Sequence, residues 1–303
     1  MIKSRISTGI RSKFTVMRAK AAVPWWLKVM AKIVLARIPL IKNYGKKLGL
    51  FVHGQMDTPE YALDVAMSHL QRVGWEDLKG RSVLELGPGD GLFTALIAKA
   101  LGARQVYLVD TDPAASSDIA LYKSGCHFLR QAGLEPPDLS NCTTVDELLQ
   151  VCSTEYLDSG LDALRKIPAG SVDLIFSQAV LEHVRIAEFS AILNELRRII
   201  SPEGVTSHQV DLKDHLAGAL NNLRFSREVW ESPFMVASGF YTNRLRFHEI
   251  LDVLEQAGFR VEIKNVNRWE KLPTPQRFYA TEFQHFSVEE LLVTEFDVLA
   301  YPV

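Results

Sequence analysis

The sequence predicts an α/β fold in which a doubly wound, mostly parallel sheet carries helices on both faces. The first observation is a short apolar run, Ser82–Leu86, that leads into a glycine-rich turn at 87–91 and then a helical pattern at 92–101. Such continuous apolar character is typical of a strand buried on both faces. A second strand pattern, Gln105–Val109, follows and ends in Asp110. Strand and helix patterns then continue to alternate along the chain, which favours a parallel sheet.

Composition permits a large core and limits the possible functions. The chain has 303 residues, of which 47% are hydrophobic and 23% charged, and this excludes a wholly disordered protein. Its cysteines, Cys126, Cys142 and Cys152, lack paired spacing. They argue against a disulfide scaffold or a zinc site and favour a reducing, cytoplasmic compartment. No charge-free run of 18 apolar residues occurs, so we expect no conventional transmembrane helix.

Charge divides the chain into a basic arm, residues 1–47, and an acidic domain, residues 48–303. The arm holds twelve Lys and Arg residues and no acidic residue, whereas the rest has a net charge of −14. From Pro24 the pattern predicts a short amphipathic helix with Lys28 and Lys32 on one face. Three roles stay open: a lid on the domain, a peripheral anchor at the inner face of a membrane, or a targeting presequence. Nucleic acid is not favoured as a partner, because the domain is acidic.

The turn at 87–91 has the pattern expected of a nucleotide site. Its glycines would let the backbone approach a ligand closely, and Asp110, nineteen residues after Gly91, is placed to accept hydrogen bonds from ribose hydroxyls. The spacing is G-x-G-x-G, and Glu85 lies two positions before the first glycine. A carboxylate there would repel a pyrophosphate but would suit a ligand with an ammonium and a sulfonium group. We therefore predict S-adenosylmethionine as the cofactor.

These motifs resemble the class I S-adenosylmethionine-dependent methyltransferases, in particular those of the type 11 kind. The segment VLELGPGDG is similar to the first motif of that family, and Asp110 sits where its ribose-binding acid sits. Residues 171–177 resemble its fourth strand, 178–184 its "LEH" helix entry, and 196–205 the helix and turn before its fifth strand. Glu203 replaces one of two glycines usual in that turn. The resemblance covers about residues 78–215 and implies a seven-stranded Rossmann-like sheet.

The resemblance and the local pattern together predict the cofactor-binding residues. Glu85 would hold the methionine end, the glycine turn the cofactor backbone, and Asp110 the ribose, while adenine would lie near residues 156–158. The predicted set is Glu85, Gly87, Gly89, Asp90, Gly91, Asp110, Thr111, Ser177 and Gln178.

The acceptor side is predicted after the fifth strand. Two His and two Asp residues lie within 208–215, where open α/β sheets bind ligands. They indicate a general base or a metal site, or else side chains that strand alternation points apart. We predict His208 as the base, followed by His215 and His183, and no bound metal. An insertion at 205–245 would cover the acceptor, with contacts from Asp211, Asn222, Arg224, Tyr241, Asn243 and Arg244.

The predicted reaction is methyl transfer from S-adenosylmethionine to a hydroxyl of a small-molecule or glycan acceptor. The polar, aromatic insertion resembles that of bacterial methyltransferases acting on sugars or glycans, and the basic arm would suit a lipid-linked acceptor at a membrane. Two other interpretations stay open. One is a non-catalytic S-adenosylmethionine-binding regulatory or assembly subunit, and the other is an oxidoreductase that binds NAD.

Overall fold

A computed structural model describes residues 56–303 of the chain. The basic arm at 1–47, with its predicted helix from Pro24, lies outside the described residues. Within them, clustering of contacts separates two compact units. The larger holds residues 56–212, 242–272 and 286–303, and the smaller holds 213–241 and 273–285. The predicted insertion at 205–245 therefore overlaps the smaller unit only in part.

Seven strands form a single sheet in the larger unit. Their order is β3-β2-β1-β4-β5-β7-β6, with β1 to β5 parallel and β7 antiparallel to both β5 and β6. The prediction of a doubly wound, mostly parallel, seven-stranded sheet is confirmed. The strands are β1 Ser82–Leu86, β2 Gln105–Val109, β3 Thr154–Leu157, β4 Val172–Gln178, β5 Ile200–Asp211, β6 Phe259–Arg268 and β7 Val293–Pro302.

Helices cover both faces of the sheet. Apolar residues of α1 to α4 share one core with one face, and those of α5, α6 and α9 share another core with the opposite face. The helices of the described residues are α1 Pro59–Val73, α2 Phe93–Ala100, α3 Ile119–Gln131, α4 Val145–Val151, α5 Leu161–Lys166, α6 Ile186–Ile199, α7 Arg227–Trp230, α8 Pro233–Val236, α9 Phe247–Gln256 and α10 Val288–Leu292. None of them is long and apolar enough to cross a bilayer.

Strand alternation decides which side chains meet which helices. In β1, Leu84 and Leu86 belong to the core under α5, α6 and α9, while Val83 belongs to the core under α1 to α4. Glu85 alternates with Leu84 and so points to the same face as Val83. The order of strands reverses between β1 and β4, and open α/β sheets bind ligands beyond the carboxyl ends of the strands at such a point.

The smaller unit has an aromatic core of its own. Trp230 on α7 is fully buried and lies near the rings of Phe240 and Tyr241, with centroid distances of 6.0 and 6.5 Å. Its backbone is organised by Asp214, whose carboxylate accepts hydrogen bonds from the N–H groups of four residues within 216–221. This carboxylate satisfies donors that a loop of this length would otherwise leave unpaired.

Candidate active site

The glycine turn after β1 is shaped by close contacts and by its backbone angles. Gly87 and Gly89 have φ values of 74° and 66°, in the left-handed region that favours glycine. A Cβ on Gly87 would lie 2.5 Å from Cγ2 of Val180, and one on Gly91 would lie 2.0 Å from the carbonyl oxygen of Met56. The turn therefore has no room for side chains at these two positions, and the N–H of Gly87 donates to the carbonyl oxygen of Val109 at 2.8 Å.

Asp110 is joined to this turn by its carboxylate. Its Oδ2 accepts a hydrogen bond from the N–H of Gly89 at 3.1 Å, and its Oδ1 accepts one from the N–H of Thr111 at 2.7 Å. Burial raises the pKa of Asp110, and these two backbone donors partly oppose that change. The side chain is half-buried. An acid fixed at the carboxyl end of β2 and still partly exposed fits the binding of two adjacent hydroxyl groups.

Glu85 lies behind the turn, in the middle of the sheet. Its side chain is only 1% exposed, and its strand neighbours are Leu108 and Phe176. The pKa of Glu85 is raised to about 8, mainly by burial; the nearby Thr94 hydroxyl on α2 partly opposes this change, and the charge of Asp110 contributes to it. A positively charged ligand nearby would favour the ionised carboxylate. Direct contact between Glu85 and the methionine end of the cofactor stays a prediction.

The predicted cofactor residues at the end of β4 point to opposite faces of the sheet. Ser177 is fully buried, and its Oγ shares a hydrogen bond of 2.7 Å with Nδ1 of His208. Gln178 is half-buried, and its Nε2 donates to Oε1 of Gln209 on β5 at 3.2 Å. Asp90 and Thr111 flank the turn, and the carbonyl oxygen of Asp90 accepts a hydrogen bond from the N–H of Ser116.

His208, the predicted base, lies in the interior of the sheet. It is 0% exposed, and burial together with the charge of Arg72 lowers its pKa to about 3. An imidazole with that pKa is neutral at pH 7 and is a weak proton acceptor. A side chain without exposed surface also has no contact with an acceptor in this geometry. The structure therefore favours a positioning role for His208, and its role as base stays a prediction.

The other predicted histidines are more accessible. His183 is exposed at the end of the 3₁₀ turn Leu181–His183, directly after β4. His215 is half-buried in the smaller unit. A general base must reach the proton that it removes, so exposure favours His183 over His208.

Asn243, predicted to bind substrate, holds the turn that carries His183. Its Nδ2 donates to the carbonyl oxygens of Leu181 and Val184 at 2.8 and 3.0 Å, and its N–H donates to that of Glu182 at 2.7 Å. Asn243 is 1% exposed and the next residue, Arg244, is 4% exposed. This burial favours a positioning role for both side chains.

The remaining predicted substrate residues are distributed over both units. Asp211 ends β5 in the larger unit and is half-buried. In the smaller unit, Asn222 is 2% exposed and Tyr241 donates from its hydroxyl to Glu231 at 2.8 Å. Arg224 donates from Nε to Oδ1 of Asn221, and its guanidinium lies 4.7 Å from the ring centre of Phe278. Contact of these residues with an acceptor stays a prediction.

Sequence reasoning missed the polar residues that α1 contributes. His69 on α1 is fully buried, with Nδ1 2.8 Å from Oγ of Ser207, and Arg72 forms an ion pair of 2.7 Å with Asp297 on β7. Burial and the charges of Arg72 and His208 hold the pKa of His69 well below its usual range. The partners are separated by 138 and 225 positions in the chain, so no local pattern could have paired them.

The comparison with protein families agrees with this architecture. A model described as "Methyltransferase domain" matches residues 60–263. The chain belongs to this methyltransferase family. It is an S-adenosylmethionine-dependent methyltransferase, and S-adenosylmethionine is its cofactor. Among curated proteins, no sequence matches the methyltransferase significantly.

Several solved structures are similar to it at low sequence identity. Phosphoethanolamine N-methyltransferase 2 of Haemonchus contortus, in complex with phosphomonomethylethanolamine and S-adenosylhomocysteine, is 17% identical with a TM-score of 0.45, and the match covers 79% of this chain and 53% of that one. YcgJ of Bacillus subtilis is 13% identical with a TM-score of 0.43, and the match covers 80% and 97%. An S-adenosylmethionine-dependent methyltransferase of Mesorhizobium loti is 18% identical with a TM-score of 0.41, covering 76% and 94%.

Proposed function

We propose that this methyltransferase transfers the methyl group to a hydroxyl of a small-molecule or glycan acceptor. The observation that supports a bound donor most directly is the contact between the glycine turn and Asp110, since it fixes a carboxylate beside a backbone that is bare of side chains. S-adenosylmethionine, when bound, supplies a methyl group already activated by the positive sulfur. The main task of the protein is then to orient the acceptor in line with that methyl group.

We assign the residues around the turn to donor binding. Asp110 accepts hydrogen bonds from ribose hydroxyls, the backbone of 87–91 lines the methionine portion, and Gln178 borders the methyl-bearing end. A hydroxyl acceptor also requires a group to take its proton. His183 is our first choice for this role because it is exposed and follows β4, and His215 is the second. His208 holds the Ser177 side chain in position rather than acting as the base.

Donor binding is tested by calorimetry on the full chain with S-adenosylmethionine, S-adenosylhomocysteine and NAD. We expect both sulfur compounds to bind. Asp110→Ala should weaken their affinity at least tenfold, because two charge-assisted hydrogen bonds are lost. Asp146→Asn, an exposed acid on α4, is the matched control. Binding of NAD in place of the sulfur compounds would contradict the proposal and select the oxidoreductase.

The acceptor class requires a separate experiment. The enzyme is incubated with radiolabelled S-adenosylmethionine and a cell extract, and the labelled products are identified by mass spectrometry. We expect a methyl ether on a small or glycan product. Donor binding without any labelled product would favour the regulatory or assembly subunit, whereas label on an amine or carbon would contradict the hydroxyl assignment.

Membrane association of residues 1–47 remains a proposal from their basic composition. It is tested by co-sedimentation with anionic liposomes, comparing the full chain with a variant that starts at Leu48. Equal partitioning of the two proteins would contradict an anchoring role and with it the lipid-linked acceptor.

A further inference from the structure

Polar side chains form a row across four strands of the sheet, on the face that also carries α1. Strand register joins Gln178 on β4 to Gln209 on β5, Gln209 to Asp297 on β7, and Asp297 to Asn265 on β6. Residues paired in this way point to the same face. In the next row, register pairs Glu295 on β7 with Asn267, and Nδ2 of Asn267 donates to the Glu295 carboxylate at 2.8 Å.

On β4 and β7 this face becomes polar near the carboxyl edge of the parallel strands. One row further from that edge, the same face carries Phe176 and Leu299 on either side of Ser207, and both apolar side chains belong to the core under α1 to α4. A sheet face inside an α/β domain is normally apolar and covered. The change from apolar to polar rows marks the place where the sheet leaves the core and faces a ligand or solvent.

Helix α1 supplies the opposite wall of a groove above this row. Tyr61, Asp64, Ser68 and Arg72 recur every three or four residues and so share one face of the helix. The groove between this helix face and the polar row has a volume of about 380 Å³, within the range of small-molecule sites.

The charges of the groove exclude one class of ligand. Arg72 is the single basic residue among its lining residues, and its guanidinium is already engaged by Asp297, Ser207 and His69 at 2.7 to 3.1 Å. Asp64 and Glu295 add two further acids to the lining. The lining therefore has excess negative charge, which repels phosphates and carboxylates. Its amides both donate and accept hydrogen bonds, as hydroxyl groups do.

The groove adjoins the donor turn through the segment after β4. Gln178 lines the groove, and two positions later Val180 contacts Gly87. Two residues of chain span at most about 7 Å, so Gln178 lies near the carboxyl end of β1, where the donor turn begins. The groove is thus close enough to the turn to present a hydroxyl to a methyl donor.

We propose that the groove between α1 and the row Gln178, Gln209, Asp297 and Asn265 binds a hydroxyl-rich, sugar-like acceptor without negative charge. This inference rests on the proposed function and refines it. It places the acceptor on side chains of α1, β6 and β7, whereas the sequence pattern pointed to residues 205–245. The ion pair of Arg72 and Asp297 and the hydrogen bond from Gln178 to Gln209 fix the floor on which the acceptor lies.

Binding is tested on the full chain saturated with S-adenosylhomocysteine, by saturation-transfer difference NMR with three probes that share one ring. These are methyl α-glucoside, which is neutral, glucosamine, which is cationic, and glucose 6-phosphate, which is anionic. We expect signals from the first two and none from the third. Absence of all three signals, or a strongest signal from the phosphate, would overturn the proposal.

The double variant Asn265→Ala/Asn267→Ala removes two exposed amides of the edge strand β6. We expect it to reduce the probe signals and the incorporation of label from S-adenosylmethionine at least tenfold, with unchanged affinity for S-adenosylhomocysteine and an unchanged unfolding midpoint. The control is Asn194→Ala, which removes an exposed amide on α6, at the opposite face of the sheet. This variant should change neither the probe signals nor the incorporation of label.

The two proposals fail in different ways. If the unmodified chain does not bind S-adenosylhomocysteine, or turns over only with NAD, the methyltransfer function itself is refuted. Normal donor binding together with normal labelling by Asn265→Ala/Asn267→Ala would leave that function standing and refute the groove as the acceptor site.

Discussion

Replacing Glu85 with Gln should stabilise the protein at neutral pH while weakening its affinity for the donor. Burial raises the pKa of Glu85 from 4.5 to about 8. Between these values the folded protein keeps a proton that the unfolded chain releases, so the stability conferred by this site falls as pH rises. Glutamine resembles the protonated acid in shape and cannot ionise. The variant therefore avoids the cost of burying a charge.

The size of the effect follows from the pKa difference. Each pH unit between the two pKa values corresponds to ~1.4 kcal/mol. Glu85→Gln should match the parent protein below pH 4.5, exceed it by roughly 3 kcal/mol at pH 7, and reach a constant gain of roughly 5 kcal/mol above pH 8.

Urea unfolding at pH 5 to 9, without ligand, measures this gain. Glu147→Gln is the contrasting control, because hydrogen bonds from Thr143 and Thr144 lower the pKa of this exposed acid. Its carboxylate stabilises the folded state above pH 4.5, so this variant should be less stable than the parent there and should match it as pH falls. A gain for Glu85→Gln that is independent of pH would refute the assignment of the cost to ionisation.

The same variant tests whether the carboxylate serves the donor. A cation beside Glu85 favours its ionised form, so donor affinity in the parent protein should rise with pH up to about 8. Glu85→Gln should bind S-adenosylmethionine at least tenfold more weakly at pH 8, with little difference at pH 5. Equal affinity at both pH values would show that Glu85 does not interact with the donor.

Three further predictions concern the backbone and the buried polar groups. Gly91→Ala should destabilise the protein by ~1–3 kcal/mol through the contact with Met56; an unchanged urea midpoint would contradict this. Arg72→Met should cost ~2–4 kcal/mol by leaving Asp297 without its cation, and adding Asp297→Leu should restore much of it. His208→Ala should cost ~1–3 kcal/mol yet keep the pH profile of kcat, and loss of the fall in kcat at low pH would restore His208 as the base.

The sequence predicted the donor half of the fold because its signals are local. A buried strand, a glycine turn and an acid after the next strand lie within residues 82–110, and each has a short-range physical cause. Helix α4 could likewise be anticipated, since Thr144 and Glu147 form a capping box within four residues. Gly87 and Gly91 were recognisable for the same reason, because a close approach of neighbouring atoms excludes every residue with a Cβ.

The acceptor half was not predictable in the same way. Strand β7 runs antiparallel between β5 and β6, and this arrangement brings Asp297 beside Gln209, although 88 positions separate them. The sequence also places His208 and Gln209 side by side, but alternation along β5 turns one into the core and the other into the groove. Without the register of β5, the sequence could not decide whether His208 or Gln209 faces a ligand.

Several buried or half-buried polar groups of the larger unit lie beside the two proposed ligand sites. Glu85 lies under the donor turn, while His69, Ser207 and Arg72 lie under the acceptor groove. Each costs free energy to bury, and an apolar residue of similar shape would often be at least as stable. Such groups persist when a precise position or a charge matters more than stability. Substitutions that leave no buried charge unpaired, such as Glu85→Gln, should therefore stabilise the protein and reduce ligand binding.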